Sequence, residues 1–241
     1  MIATLYLHGL PGGAAELDLG GSPSGWIVPD RLAWTDYDTG VTQLAARLPE
    51  QCRLIGFSIG AMTALRLAAR APDRVVDLTL ISPAAPLETG DFLPDMAGRK
   101  VFEAARRGGW PFRALTAAQS LIARSFPRLL MQMLFAGTTK AEKFLADAHS
   151  SELSGVIATT YGSGRAAYLD ELQHYVRPWR GVLAGVRAAV TVHHGEADNW
   201  SPPAMGAALV ASLPDAKLIR YPELGHYGTL ATFLEQEGRF R

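Results

Sequence analysis

A single cysteine, Cys52, stands in this chain of 241 residues, so no disulfide can form within it. A reducing compartment is thereby allowed. An excess of charge of either sign is also missing. The 23 basic side chains meet 23 acidic ones, for a formal net charge of zero. Such a chain carries no global field to attract DNA, RNA or an anionic membrane. Long apolar runs are absent too, since none approaches the about 18–20 residues needed to cross a bilayer. The segment from Met1 to His8 lacks the basic start and small-residue cleavage site of a secretory leader. These absences predict a cytoplasmic protein with no nucleic-acid partner and no membrane partner.

What the chain has is apolar material, 48% of its residues, enough for one substantial core. Short apolar runs bounded by turn residues read as strands at Ile2–Leu7, Trp26–Pro29, Cys52–Phe57 and Val75–Ile81. Amphipathic stretches at Val41–Leu48 and Ala61–Arg70 read as helices between them. From Pro86 to about Pro178 the periodicity becomes helical, in Lys100–Arg107, Thr116–Arg124, Pro127–Phe135, Lys140–His149 and Ala166–Tyr175. Val156–Tyr161 is the one strand candidate there. Alternation resumes with strands Ala188–His193 and Ala216–Tyr221 and helices Ala204–Leu213 and Thr229–Glu237. Strands alternating with helices predict an α/β fold, a doubly wound and mostly parallel sheet covered on both faces. The helical block predicts a cap, or lid, of residues 86–178 inserted into a core of residues 1–85 and 179–241. It lies over the carboxyl ends of the strands, where open parallel sheets bind ligands.

Gly56-Phe57-Ser58-Ile59-Gly60 matches G-x-S-x-G, directly after an apolar strand and directly before an Ala/Leu-rich helix. That context demands a sharp turn that strains and exposes the serine, while the glycines let strand and helix pass closely. A serine hydroxyl is a poor nucleophile at neutral pH and needs a base, which in turn needs an orienting acid. His226 follows the strand Ala216–Tyr221 in Pro222-Glu223-Leu224-Gly225-His226, on a loop before the last helix. Asp198 leaves the carboxyl end of the preceding strand, with Glu196 as a nearby rival. The order Ser, Asp, His is the chain order of a triad on an α/β sheet.

With His8-Gly9-Leu10-Pro11-Gly12 added, these motifs resemble those of the α/β-hydrolase superfamily, in the family's order and across nearly the whole chain outside the cap. The resemblance implies a serine hydrolase, carboxylesterase-like, that cleaves a small-molecule ester through an acyl-enzyme, with Ser58 as nucleophile, His226 as base and Asp198 as its partner. It implies an oxyanion hole made by the backbone N–H groups of Leu10 and Ile59, with His8 bracing its own loop. No cofactor and no metal are implied. Relatives with this triad include thioesterases, lactonases, amidases, proline-specific peptidases and carbon–carbon bond hydrolases. A ligand-binding protein on the same scaffold is the alternative of another class. Members usually open with an antiparallel hairpin ahead of the His-Gly strand. Its absence here predicts a sheet shortened to about six strands.

Other features compete less well. Gly162-Ser163-Gly164 mimics a dinucleotide fingerprint but lacks the acid about 20 residues on, and reads as a cap turn. His193 and His194 point to opposite faces of a strand and cannot easily share a metal. Cys52 reads as an apolar filler at a strand start. Arg99, Lys100, Arg106, Arg107, Arg113, Arg124 and Arg128 cluster in the early cap, opposed chiefly by Glu103. They read either as a solvated helical face or as a patch for an anionic substrate or an acidic carrier protein. Pro127–Phe135, with Met131 and Met133, reads as a packing helix or as one wall of an acyl pocket.

Overall fold

A computed structural model describes residues 2–21 and 23–239 of the chain. Five strands form its sheet: β1 (Ala3–Leu7), β2 (Cys52–Phe57), β3 (Val75–Ile81), β4 (Ala189–Gly195) and β5 (Ala216–Tyr221). All neighbours pair in parallel, and the spatial order is the chain order. The central strands are almost wholly apolar because helices cover both faces; Leu54, Ile55 and Phe57 are fully buried. β5 lies at the edge, where Lys217, Ile219 and Arg220 are exposed. No antiparallel hairpin belongs to the sheet among the described residues.

Two expectations need correction. Among the described residues the sheet has five strands where about six were expected, because the stretch Trp26–Pro29 contributes only one bridging residue. Ile27 pairs beside Leu5 through two hydrogen bonds of 2.9 Å, one donated to Thr4 O and one accepted from Tyr6 N–H. Gly25, at φ +79°, turns the chain just before it, and Pro29 has no N–H with which to continue a ladder. Val156–Tyr161 is helical, within α7 (Ser150–Tyr161). Leu153, Val156, Ile157, Thr160 and Tyr161 are buried at helical spacing, so packing overrides the β-branched character of Val156, Ile157 and Thr160.

Among the described residues two α-helices lie between the first three strands, α1 (Tyr37–Arg47) and α2 (Gly60–Arg70). Asp36 caps α1 by accepting from Thr39 N–H at 2.8 Å. Between β3 and β4 the chain makes a helical excursion: α3 (Arg99–Arg107), α4 (Gly109–Ser125), α5 (Pro127–Phe135), α6 (Lys140–Ala148), α7 (Ser150–Tyr161) and α8 (Arg165–Tyr175). α9 (Pro203–Ser212) and α10 (His226–Arg239) follow β4 and β5. His226 therefore opens the last helix instead of preceding it. No helix among the described residues is long and apolar enough to cross a membrane.

From β1 the chain passes to Ile27 on one side and to β2 on the other. Connections that part in this way open a crevice at the carboxyl end of β1, the usual ligand position in such sheets. The crevice wall is held by Arg31, which is completely buried. Its guanidinium donates to His8 O (2.8 Å) and in two bonds (2.8 and 3.2 Å) to Glu171 on α8. Glu171 also accepts from Thr63 of α2 at 3.3 Å, so one buried ion pair ties together the loop after β1, α2 and the excursion. Removing one member of such a pair leaves an uncompensated buried charge. Arg31→Ala is expected to cost about 3–5 kcal/mol in urea denaturation, and the double change Arg31→Met/Glu171→Leu distinctly less. A single-variant loss below about 1 kcal/mol would show that the pair carries no such burden.

Candidate active site

The five strands run the same way, so the segments that follow them meet at one rim. After β2 comes Ser58, whose φ of +56° lies in the left-handed region that non-glycine residues avoid. Such a conformation costs on the order of 1 kcal/mol or more and persists only where neighbours over-determine it. Here Ser58 N–H donates to Ile81 O (3.0 Å), while Ser58 O accepts from Ala84 N–H (3.0 Å) and Ala61 N–H (3.1 Å). A Cβ on Gly60 would collide with the carbonyl oxygens of Leu7 and His8, so α2 presses on β1 as closely as backbones allow.

Asp198 follows β4 and is buried. Its Oδ1 accepts from the N–H groups of Trp200 and Ser201, both at 2.9 Å, and its Oδ2 lies 2.7 Å from His226 Nδ1. A carboxylate only accepts, so Nδ1 carries the proton and Nε2 of the neutral ring keeps a lone pair. The imidazole sits in an aromatic slot. Trp200 stacks on it at 13° with centroids 5.6 Å apart, and Phe57, next to Ser58, packs against it at 4.7 Å. Ser82 Oγ donates to the His226 carbonyl (3.4 Å), which holds the start of α10 against the end of β3. The structure thus joins Asp198 to His226 directly and sets the ring beside the Ser58 turn. Among the described residues no hydrogen bond links Ser58 to His226.

Leu10 and Ile59 line one narrow cavity with Ser58, about 60 Å³ in volume. Among the described residues neither backbone N–H is spent on an internal hydrogen bond. Phe102, Leu134, Tyr161 and Tyr168 of the excursion close the cavity from above, and Trp200 walls its side. Glu196, the rival acid, pairs instead with Arg220 at 2.7 Å. His8 is buried, which pushes its pKa well down, and its Nδ1–H donates to Gly9 O at 2.8 Å. His193 meets Tyr221 OH at 2.8 Å. No group of three or more His, Cys, Asp or Glu side chains among the described residues converges to hold a metal ion.

Residues 5–240 match the alpha/beta hydrolase family. The chain belongs to that family. Curated relatives include the pimeloyl-[acyl-carrier protein] methyl ester esterase of Aromatoleum aromaticum, 26% identical over 216 residues, which are 86% of this chain and 76% of that one. The protein of the same name from Chromobacterium violaceum is 27% identical over 85% of this chain and 73% of its own. Among solved structures, a thermophilic esterase from Thermogutta terrifontis superposes with a TM-score of 0.67 at 17% identity, over 100% of this chain and 89% of that one. Bromoperoxidase from Bacillus anthracis gives 0.67 at 15% identity, over 99% and 91%. These structural likenesses speak to the fold alone.

Around the rim, this α/β-hydrolase buries carboxylates that sequence reasoning missed. Glu16, fully buried, accepts from Tyr6 OH (2.7 Å) and from Gly9 N–H (3.1 Å), beneath the loop that carries Leu10. Glu142 of α6 reaches across to the first turn of α10. In the sequence Glu16 looks like a turn residue, and Thr139-Lys140-Ala141-Glu142 looks like a capping box on a solvated helix. Nothing in the spacing marks Trp200 as a partner of the imidazole.

Burial raises the Glu16 carboxyl to about 7, against the hydrogen bonds from Tyr6 and Gly9 that favour its charge. The folded state therefore holds this proton more tightly than the unfolded chain, and stability falls as pH rises from about 4.5 through 7. The difference amounts to about 3 kcal/mol at alkaline pH. Glu16→Gln is expected to flatten the pH dependence of stability between pH 5 and 8 and to gain relative to wild type at the upper end. Parallel denaturation midpoints for the two proteins across that range would contradict the assignment.

Proposed function

We propose that this α/β-hydrolase cleaves carboxylic esters by acyl transfer, with Ser58 as nucleophile, His226 as general base and Asp198 as the acid that orients it. The observation that carries this reading is the 2.7 Å contact between Asp198 Oδ2 and His226 Nδ1, in an aromatic slot beside a strained serine. It fixes the tautomer whose Nε2 can take the serine proton. Ser58 Oγ attacks the ester carbonyl, and the oxyanion that forms accepts from the N–H groups of Leu10 and Ile59. His226 then protonates the departing alcohol and afterwards activates water to free the acid. Each oxyanion donor is worth about 3 kcal/mol in the transition state. Residues 86–178 act as the lid, since Phe102, Tyr161 and Tyr168 cover the Ser58 cavity.

The substrate we favour is an ester whose acyl chain is borne by an acidic carrier protein. Two supports meet here. The curated relatives are named for such a substrate. On this chain's own surface, Arg106, Arg113, Arg124 and Arg128 are exposed and make no ion pair among the described residues, while Glu103 is occupied by Arg99 (2.7 Å) and Arg107 (3.9 Å). No acidic residue occurs between Glu103 and Glu142, so this surface attracts anions although the whole chain is neutral.

Ser58→Ala is expected to lower turnover of a p-nitrophenyl ester by at least about 1000-fold with an unchanged denaturation midpoint, and to abolish labelling by a fluorophosphonate. Retention of most activity, or labelling at another serine, would end the proposal. For the carrier, Arg106→Glu/Arg107→Glu is expected to reduce kcat/KM on a carrier-borne methyl ester at least about 10-fold, more so at low salt, and to leave a free neutral ester unaffected. An unchanged ratio between the two substrates would defeat the carrier.

A further inference from the structure

Glu142 lies on α6 of the excursion, 84 residues from the α10 start that it touches. Only 2% of it is exposed. Its Oε1 accepts from Gly228 N–H at 2.7 Å and its Oε2 from Tyr227 N–H at 3.3 Å. These are first-turn donors of α10, which have no partner within the helix itself. A carboxylate there also meets the positive end of the helix dipole. The seat is built for it. A Cβ on Gly225 would collide with Cγ, Cδ and Oε1 of Glu142, and one on Gly228 would crowd Oε1 at 3.2 Å. His226 stands between those two glycines. Thr139 Oγ1 accepts from Glu142 N–H (3.2 Å), which fixes the carboxylate's own helix at its start.

We propose that Glu142 is a positioning residue for the base: seated between Gly225 and Gly228, it registers the first turn of α10, and with it the imidazole of His226, against the excursion, while its charge supports the protonated ring formed in turnover. The inference rests on the reading of His226 as the base. The ring's own ion partner is Asp198, the other titratable groups that act on its charge are Glu16, Glu142 and His194, and the Tyr227 ring packs edge-on against it at 5.4 Å. Burial lowers the His194 pKa and raises that of Tyr227 well above its usual value, so both stay neutral. Burial pushes the Glu142 carboxyl up, opposed by the two backbone donors and by the charge of His226. By reciprocity, the Glu142 charge favours the imidazolium.

The test uses Glu142→Gln and Glu142→Ala in the full chain, with fluorophosphonate titration to count competent sites. Gln keeps the shape but offers one acceptor where two N–H groups wait, and it has no charge. Per titrated site, we expect Glu142→Gln to lower kcat about 10-fold with KM within about twofold, and to move the acid limb of the kcat/KM profile to lower pH by about half a unit. Glu142→Ala should change both in the same direction. The isosteric Gln variant carries the test should Ala fail to fold. Wild-type kcat and pH profile in the Gln variant would overturn the proposal, as would a loss of kcat or stability with the acid limb unmoved, which marks a merely structural cap. His226→Ala separates the two layers. If it retains turnover, the base assignment falls and this proposal with it. If it is inactive while the Glu142 variants behave as wild type, only this proposal falls.

Discussion

Strands that run in one direction deliver every following segment to the same edge of the sheet, and the architecture of this site depends on that constraint. Loops of quite different length and origin, after β1, β2, β3, β4 and β5, bring Leu10, Ser58, Ser82, Asp198 and His226 to one rim. None of them is near another in the sheet by virtue of sequence, apart from the neighbours of the Ser58 turn. The turn itself is the strained point, and its backbone is pinned from β3 by hydrogen bonds at Ile81 and Ala84. The strain is thus opposed by contacts that also fix the order of the strands.

A second constraint is electrostatic. Glu16, Glu142, Glu171 and Asp198 all lie almost wholly out of water around this rim, where an unsupported carboxylate is very costly. Each is settled in its own way. Glu171 has the Arg31 guanidinium, Asp198 has an imidazole and two backbone donors, and Glu142 has a helix N-terminus. Glu16 has the least support, a phenol and one backbone N–H, and burial lifts its carboxyl to about 7.

What was legible in the sequence was local or was fixed by strand ends. The Ser58 turn reads from five consecutive residues because its geometry is made by them. Asp198 and His226 read because each follows a strand closely, and the sheet does the rest. The Trp26–Pro29 stretch misled because Pro29 and Gly25 limit it to one bridging residue, a detail that apolar composition does not show. Val156–Tyr161 misled because a short apolar run has no readable period until its flanks are known to be helical. Arg31 with Glu171, and Glu142 with Tyr227 and Gly228, are separated by 140, 85 and 86 residues. No spacing rule can reveal such pairs; they appear only when the excursion is folded back on the rim.

Those distant pairs divide the excursion into two mechanical parts. α6 and α8 are tied to the core by buried charge: Glu142 on α10, Glu171 on Arg31 and, beside it, Asp170 accepting from Tyr37 N–H at 2.7 Å. Lifting them would expose carboxylates to loss of their partners all at once. α3 to α5 approach the cavity through apolar side chains such as Phe102 and Leu134, and α3 meets α4 at Gly108 and Gly109, both at positive φ. Breaking a buried ion pair leaves an uncompensated charge out of water, a cost that apolar contacts do not carry. α4 is joined to α7 and α8 through Ser120 Oγ, which donates to Tyr161 O, and through Arg165, which donates to Arg113 O (2.9 Å) and Thr116 Oγ1 (3.1 Å), but among the described residues α3–α5 make no buried ion pair.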